Sequence, residues 1–224
     1  MTEAHLLFTI AILGGTGKEG KGLAYRWAKS GYRILIGSRS LEKARATSIE
    51  LLDRLGGKAF IEGCDNLRAA EAADIVVLAV PYAAHRLTLV SVKHALQGKL
   101  LVDVCVPLVP PQVTKVQMPP AGSAAQEARE ILGEGVEVIS AFQNISHELL
   151  MSDERIESDV LVAGTSQAAR REVLKLVEAA GLTGWDAGPI ENSVVLEGLT
   201  SVLIGINKHY GGTHAGIKIT GKKK

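Results

Sequence analysis

The stretch from Phe8 to Arg39, FTIAILGGTGKEGKGLAYRWAKSGYRILIGSR, constrains the fold more than any other part of the chain. An apolar run, Thr9–Leu13, leads into Gly15, Gly17 and Gly20, spaced as G-x-G-x-x-G. A helical pattern follows over Lys18–Ser30, with Leu23, Ala24, Trp27 and Ala28 on one face and Gly31 as its stop. A second apolar run covers Arg33–Ile36. This order predicts a strand–helix–strand unit whose first turn cradles a dinucleotide with Gly15, Thr16, Gly17, Lys18, Glu19 and Gly20. The first glycine permits the tight turn, and the second lets the backbone approach a pyrophosphate. The third lets helix and strand pack closely, and the helix N-terminus faces the phosphate charge. A lone glycine triplet is a weak signal; with a strand before it and a helix after it, the signal is strong.

The end of the second strand predicts which dinucleotide. An NAD site places Asp or Glu there, about 20 residues after the glycines, to accept hydrogen bonds from ribose hydroxyls. This chain has Gly37-Ser38-Arg39 instead. A carboxylate would repel a 2′-phosphate, whereas a hydroxyl and a guanidinium fork bind one through charge-assisted hydrogen bonds. Thr16 in the glycine loop and Lys43 in the next helix are placed to reach the same group. NADP is therefore expected rather than NAD.

Alternation of strand and helix patterns continues. Leu41–Leu55 reads as a helix, Lys58–Ile61 as a short third strand and Asn66–Ala73 as a short helix. Asp74–Val80 (DIVVLAV) is a continuous apolar run, as a strand buried on both faces should be. Ala83–Leu96 reads as a helix, Leu100–Cys105 as the fifth strand, Ser123–Leu132 as a crossover helix and Gly135–Ser140 as the sixth strand. A proline-rich segment with Pro107, Pro110, Pro111, Pro119 and Pro120 separates the last two strands, and loops of that length are usually functional or mobile. Beyond the sixth strand the pattern changes to a strand at Asp159–Ala163, a helix at Ser166–Ala180 and an extended piece at Gly184–Ala187. One long helix over 190–209 follows, apolar over most of its circumference. Such a helix must be buried, which predicts dimerisation through it. The fold expected is α/β: a Rossmann-type, doubly wound, mainly parallel sheet with a small C-terminal α-rich domain.

Composition narrows the partners. With 25 Lys plus Arg against 24 Asp plus Glu in 224 residues, no global charge field draws the chain to nucleic acid or anionic lipid. The run Lys222–Lys224 reads as a solvated tail. The N-terminal MTEAHLLFTIAIL lacks a basic leader region, and no segment offers about 18 uninterrupted apolar residues to span a bilayer, so a cytoplasmic location is expected. Cys64 and Cys105 are too isolated for a zinc site or disulfide framework and read as small core residues. Of six histidines (His5, His85, His94, His147, His209 and His214), none shows metal-ligand spacing or the setting of a catalytic His-Asp couple. No metal and no side-chain acid or base is expected. Oxidation of an alcohol or amine usually needs one. Hydride exchange between two stacked heterocycles needs chiefly their orientation and separation.

The block Gly14–Arg39 resembles the opening of the coenzyme F420-dependent NADP oxidoreductases, which pass hydride between a reduced deazaflavin and NADP. Further likeness lies in VPLVP at Val106–Pro110, VISAFQNI at Val138–Ile145, and DAGPIENSVVLEGLTSVLIGIN leading to GGTHAGIKI at Gly211–Ile219. The resemblance implies that Thr16, Ser38, Arg39 and Lys43 hold the 2′-phosphate and that Val80 and Pro81 line the nicotinamide ribose. It places the deazaflavin against Gln143, Asn144, Ile145 and Ala215. Here the chain departs from the family, which carries His at the first of these positions and a larger apolar residue at the last. The resemblance further implies an NADP-binding Rossmann domain over 1–148 and a smaller domain over 149–224 that completes the deazaflavin pocket and a homodimer interface. Three other readings remain open from the residues: an NADPH-dependent flavin or ferric reductase, a reductase of imines or β-hydroxy acids, and a non-catalytic NADP sensor.

Overall fold

The computed structural model describes residues 8–212 and 214–221, so His5 and the Lys222–Lys224 tail lie outside the described residues. Strands β1 (Thr9–Leu13), β2 (Arg33–Ser38), β3 (Ile61–Asp65), β4 (Ile75–Leu78), β5 (Leu100–Asp103), β6 (Glu137–Ser140), β7 (Asp159–Gly164) and β8 (Thr183–Pro189) form one sheet. Their order is β3-β2-β1-β4-β5-β6-β7-β8. All neighbours are parallel except β6 and β7, which meet antiparallel through Ile139↔Gly164 and Ser140↔Ala163. Helices α1 (Lys18–Lys29), α2 (Leu41–Arg54), α3 (Asn66–Ala72), α4 (Tyr82–Val92), α5 (Ala124–Leu132), α6 (His147–Met151), α7 (Gln167–Ala179) and α8 (Ser193–Tyr210) connect and cover the strands.

The central strand shows why this sequence becomes a two-faced sheet. Ile10 and Ile12 point into one core with Trp27, Ile34, Phe142 and Val173. Ala11 and Leu13 point into the other with Leu35, Val76, Leu89 and Leu101. A strand apolar at four successive positions, Ile10 to Leu13, requires burial on both sides. The chain leaves β1 in one direction toward β2 and β3, and in the other toward β4 to β6. The reversal opens a crevice between β1 and β4 at the carboxyl ends of the strands, the place where such sheets bind ligands.

Two features differ from the sequence expectation. The third strand lies at Ile61–Asp65 rather than Lys58–Ile61, and Phe60 is left exposed. Its register on β2 runs from Ile34↔Ile61 to Ser38↔Asp65. The segment EGCD lies beyond the strand expected from sequence, and its glycine serves packing: a Cβ at Gly63 would collide with the α2 backbone at Ala44. The short helix α6 was also unforeseen. It is fixed from outside, because the Arg26 guanidinium donates to Leu149 O, Leu150 O and Ser152 O at its C-terminal end. A Cβ at Gly22 of α1 would come within 2.6 Å of Leu150 Cβ, so glycine there permits the close approach. Residues 149–224 add β7 and β8 to the same sheet, along with α7 and α8. Among the described residues, no helix is long and apolar enough to cross a membrane.

Candidate cofactor and substrate site

The turn after β1 is built by glycine. Gly14 adopts φ +78°, and its N–H donates to Gly37 O at 3.0 Å. A Cβ at Gly15 would stand 2.8 Å from Ile12 O, and one at Gly20 would stand 2.9 Å from Gly15 Cα. Both positions exclude any larger residue. Gly17 is the N-cap of α1 and supplies no side chain to cap it, so the first-turn N–H groups face the crevice without a side-chain partner.

Beside this turn lies a small cavity of about 230 Å³ lined by Thr16, Gly17, Ser38, Arg39, Ser40, Lys43 and Asn66, among others. Ser38 is buried, and its Oγ accepts from Ser40 N–H at 3.2 Å. Ser40 in turn caps α2 by accepting from Lys43 N–H. The Arg39 and Lys43 side chains are exposed, and neither has an ion-pair partner among the described residues. Two unpaired cations and the hydroxyls of Thr16, Ser38 and Ser40 around a small hollow suit a dianion.

The second cavity is larger, about 890 Å³, and more apolar. Gly17, Ala79, Val80 and Pro81 line both cavities, so the two adjoin at the glycine turn. Its far wall is the exit of β6. Phe142 adopts φ +72°, an uncommon conformation for a bulky residue. It is held by edge-on packing against Trp27 at 5.5 Å, and Trp27 Nε1–H donates to Leu176 O at 2.8 Å. The turn at Phe142 brings Gln143, Asn144 and Ile145 to the cavity wall. Their amide donors are already used. Gln143 Nε2 donates to Asp103 O at 2.7 Å and to Ser140 Oγ at 2.9 Å, and Asn144 Nδ2 to Leu196 O at 3.0 Å.

The chain's C-terminal segment closes the remaining side with His214 and Ala215. Ala215 N–H donates to Asn207 Oδ1 at 3.0 Å, and His214 Nδ1 lies 2.8 Å from Ser146 Oγ. Further along, Asp159 anchors the segment: Ile219 N–H, Lys218 Nζ and Trp185 Nε1 all donate to its carboxylate. Burial opposes ionisation of Asp159, yet these donors hold its pKa below the usual carboxylate range. All four residues assigned to the 2′-phosphate line the small cavity, and all four assigned to the deazaflavin line the large one. Of the rest, Lys18 and Glu19 line the large cavity, Val80 and Pro81 line both, and Gly15 and Gly20 lie packed beneath the turn.

One expectation needs correction. His85 does stand in a His–Asp couple: its Nε2 is 2.7 Å from Asp103 Oδ2, with both residues buried. Spacing could not reveal it, because the pair forms only when β5 lies beside β4 and the helix that follows it. Burial works against charge on this imidazole, but Asp103, with Glu127 beyond, holds its pKa above the ordinary value. Tyr82 Oη donates to Glu127 Oε2 at 2.8 Å. Cys105 Sγ completes a group with His85 and Asp103 whose ligand atoms lie within 4.8 Å of one another. Burial pushes the thiol pKa well above its usual value, and it donates to Val80 O at 3.2 Å. The cluster ties the exits of β4 and β5 together, while His85 Nδ1 has no hydrogen-bond partner among the described residues and lies 3.7 Å from Glu127 Oε2.

Comparison with known proteins gives consistent likenesses. Residues 9–107 match the sequence model of the family described as NADP oxidoreductase coenzyme F420-dependent. The chain is 39% identical to the F420-dependent NADP reductase of Methanocaldococcus jannaschii, over 94% of this chain and 97% of that protein. It is 36% identical to the protein of the same name from Methanothermobacter thermautotrophicus, over 96% of each. Among solved structures, a provisionally named F420-dependent NADP-reductase from Arthrobacter sp. FB24 superposes with a TM-score of 0.79 at 25% identity, covering 95% of this chain and 99% of that one.

Proposed function

This chain belongs to the family of F420-dependent NADP reductases, and from that premise we propose how its residues serve an oxidoreductase that passes hydride between coenzyme F420 and NADP. The nicotinamide and deazaflavin rings supply the hydride chemistry, and the protein supplies their alignment. The observation that carries the assignment of residues is the wall the two adjoining cavities share at Gly17, Val80 and Pro81. One extended dinucleotide can run from a cationic hollow, past a bare helix N-terminus, into an apolar chamber.

In this reading Thr16, Ser38, Arg39 and Lys43 bind the 2′-phosphate. The loop from Gly15 to Gly20 receives the pyrophosphate, and Val80 with Pro81 lines the nicotinamide ribose. Gln143 and Asn144, their donors locked to the scaffold, hold the β6 exit in place while Ile145 and Ala215 shape the deazaflavin slot. No side-chain acid or base takes part: His85 is buried against Asp103 and lines neither cavity. Residues 1–148 bind NADP and residues 149–224 complete the deazaflavin pocket. We further propose a cytoplasmic homodimer joined through α8, on which Val195, Val202 and Ile206 form an exposed stripe. Light scattering that finds only monomer across micromolar concentrations would remove the dimer.

The direct test is oxidation of reduced F420 by NADP, followed by deazaflavin absorbance, beside the same assay with a flavin. Turnover with F420 and not with flavin is expected. Turnover with flavin alone would reassign the acceptor.

A further inference from the structure

Glu19 is half-buried and differs from the buried carboxyls of the molecule. It lies in the first turn of α1, inside the glycine fingerprint, and lines the large cavity with Val80, Phe142, Ile145 and His147. Its Oε1 is buried and has no hydrogen-bond partner among the described residues. By contrast, Asp103 has His85 and Cys105 N–H, Asp159 has three donors, and Glu197 has two backbone N–H groups. An orphaned carboxyl oxygen in a ligand-sized cavity is unfavourable unless a ligand or a proton offsets it.

We propose that Glu19 makes the preference between oxidised and reduced NADP depend on pH, accommodating NADPH as a neutral acid and favouring NADP⁺ as a carboxylate. The inference rests on the assignment above, in which the nicotinamide end occupies the large cavity. Glu19 lines that cavity and not the hollow of Arg39 and Lys43. The two forms of the cofactor differ by one positive charge on the nicotinamide, while their phosphates are common to both. Any repulsion between Glu19 and the phosphates therefore cancels in the ratio of the two affinities, and the interaction with the ring remains.

The carboxyl titrates in an accessible range, since burial pushes its pKa up to about 8. Around it stand Lys18 and Lys21 on its own helix, the latter paired with Glu50 of α2 at 2.8 Å. The same cavity is lined by His147 and Glu148 of α6, Tyr82 of α4, Cys105 after β5 and His214 of the C-terminal segment. Burial alone, rather than any of these charges, sets the shift. Below this pKa the neutral acid is indifferent to the ring's charge. Above it, the anion attracts the oxidised ring across a cavity that the cofactor itself dries, where a single charge pair readily changes affinity by about tenfold.

The test is calorimetric titration of the full chain with NADPH and with NADP⁺ near pH 6.5 and near pH 9.5, on wild type and on Glu19→Gln. For wild type, the ratio Kd(NADPH)/Kd(NADP⁺) should rise by about tenfold or more with pH, and in Glu19→Gln it should stay within about twofold. Titrations of wild type near pH 8, in buffers of different ionisation enthalpy, give a second readout that needs no variant. NADPH binding should take up more protons than NADP⁺ binding. A constant ratio in wild type, equal proton uptake, or the same rise in Glu19→Gln would overturn the role of Glu19 and leave the NADP reading intact. Failure of wild type to bind either cofactor would remove the NADP reading and this inference with it.

Discussion

The two ends of the site are built by different means. The small cavity draws on two short stretches, Thr16-Gly17 and Ser38–Lys43, with Asn66 and the β4 exit closing it. Its cationic side chains are exposed and unpaired among the described residues. The large cavity draws on the exits of β4, β5 and β6, on α6, on α8 and on the C-terminal segment. Its polar side chains are mostly committed to the scaffold. Free charges on a local motif recognise a phosphate by themselves. A slot for a planar ring depends on shape, and shape comes from elements distant in sequence.

The sharpest way to break this contrast is to fill the slot. Ala215 sits at the cavity wall with its backbone held by Asn207. Ala215→Trp should reduce F420 turnover by about 10²-fold or more, as displaced alignment does, while NADP binding by calorimetry stays within a few fold. Ala215→Leu, nearer the family pattern, should remain active. Normal turnover in the Trp variant would mean that the C-terminal segment does not bound the deazaflavin.

At the other end, charge rather than shape should decide. Ser38→Ala combined with Arg39→Asp should raise the KM for NADP by about 10²-fold, since each lost hydrogen bond to a charged group costs roughly 1.5–3 kcal/mol and the new carboxylate repels the phosphate. The KM for NAD should hardly move. Equal losses for both cofactors in steady-state assays would make Arg39 structural and erase the distinction between the two ends.

The same contrast explains what the sequence made legible. The phosphate end was readable because the G-x-G-x-x-G loop and Gly37-Ser38-Arg39 act within a few residues of where they stand. Gln143, Asn144, Ile145 and Ala215 came from resemblance to a family, and no local pattern marks them. The His85–Asp103 couple joins residues 18 apart through parallel pairing of β4 and β5. Glu197 caps α5 from 73 residues away, and α6 is fixed by Arg26 from 124 residues away. The third strand was displaced for a related reason. Gly63 looks like a turn residue until α2 is seen crossing directly over it.

Glu197 gives the subtlest test, because it measures the cost of long-range assembly. It is fully buried on α8, and it accepts from Ala124 N–H at 2.7 Å and Ala125 N–H at 3.1 Å. Burial, with Asp103 adding repulsion, pushes its pKa up to about 8, even though the two N–H donors favour the anion. An acid whose pKa is raised in the folded state binds more protons there than in the unfolded chain. Stability must therefore fall as pH rises from the unfolded value toward about 8, and the loss is complete above it. Glu197→Gln keeps one of the two oxygen acceptors at the α5 N-terminus and removes the titration; the amide nitrogen that replaces the other leaves one N–H without an acceptor, a cost that does not change with pH. Other groups that titrate in this range, Glu19 among them, act equally in both proteins and cancel in the difference. The Tm of the variant relative to wild type should therefore rise by about 5 °C between pH 5 and pH 9, a shift worth roughly 1–2 kcal/mol in a chain of this size. A difference in Tm that does not change with pH would mean that Glu197 is ionised throughout, held as an anion by the two N–H groups. The packing of α8 on α5 would then be electrostatic, as at the phosphate end, and the two ends of the site would be less different in kind than their geometry indicates.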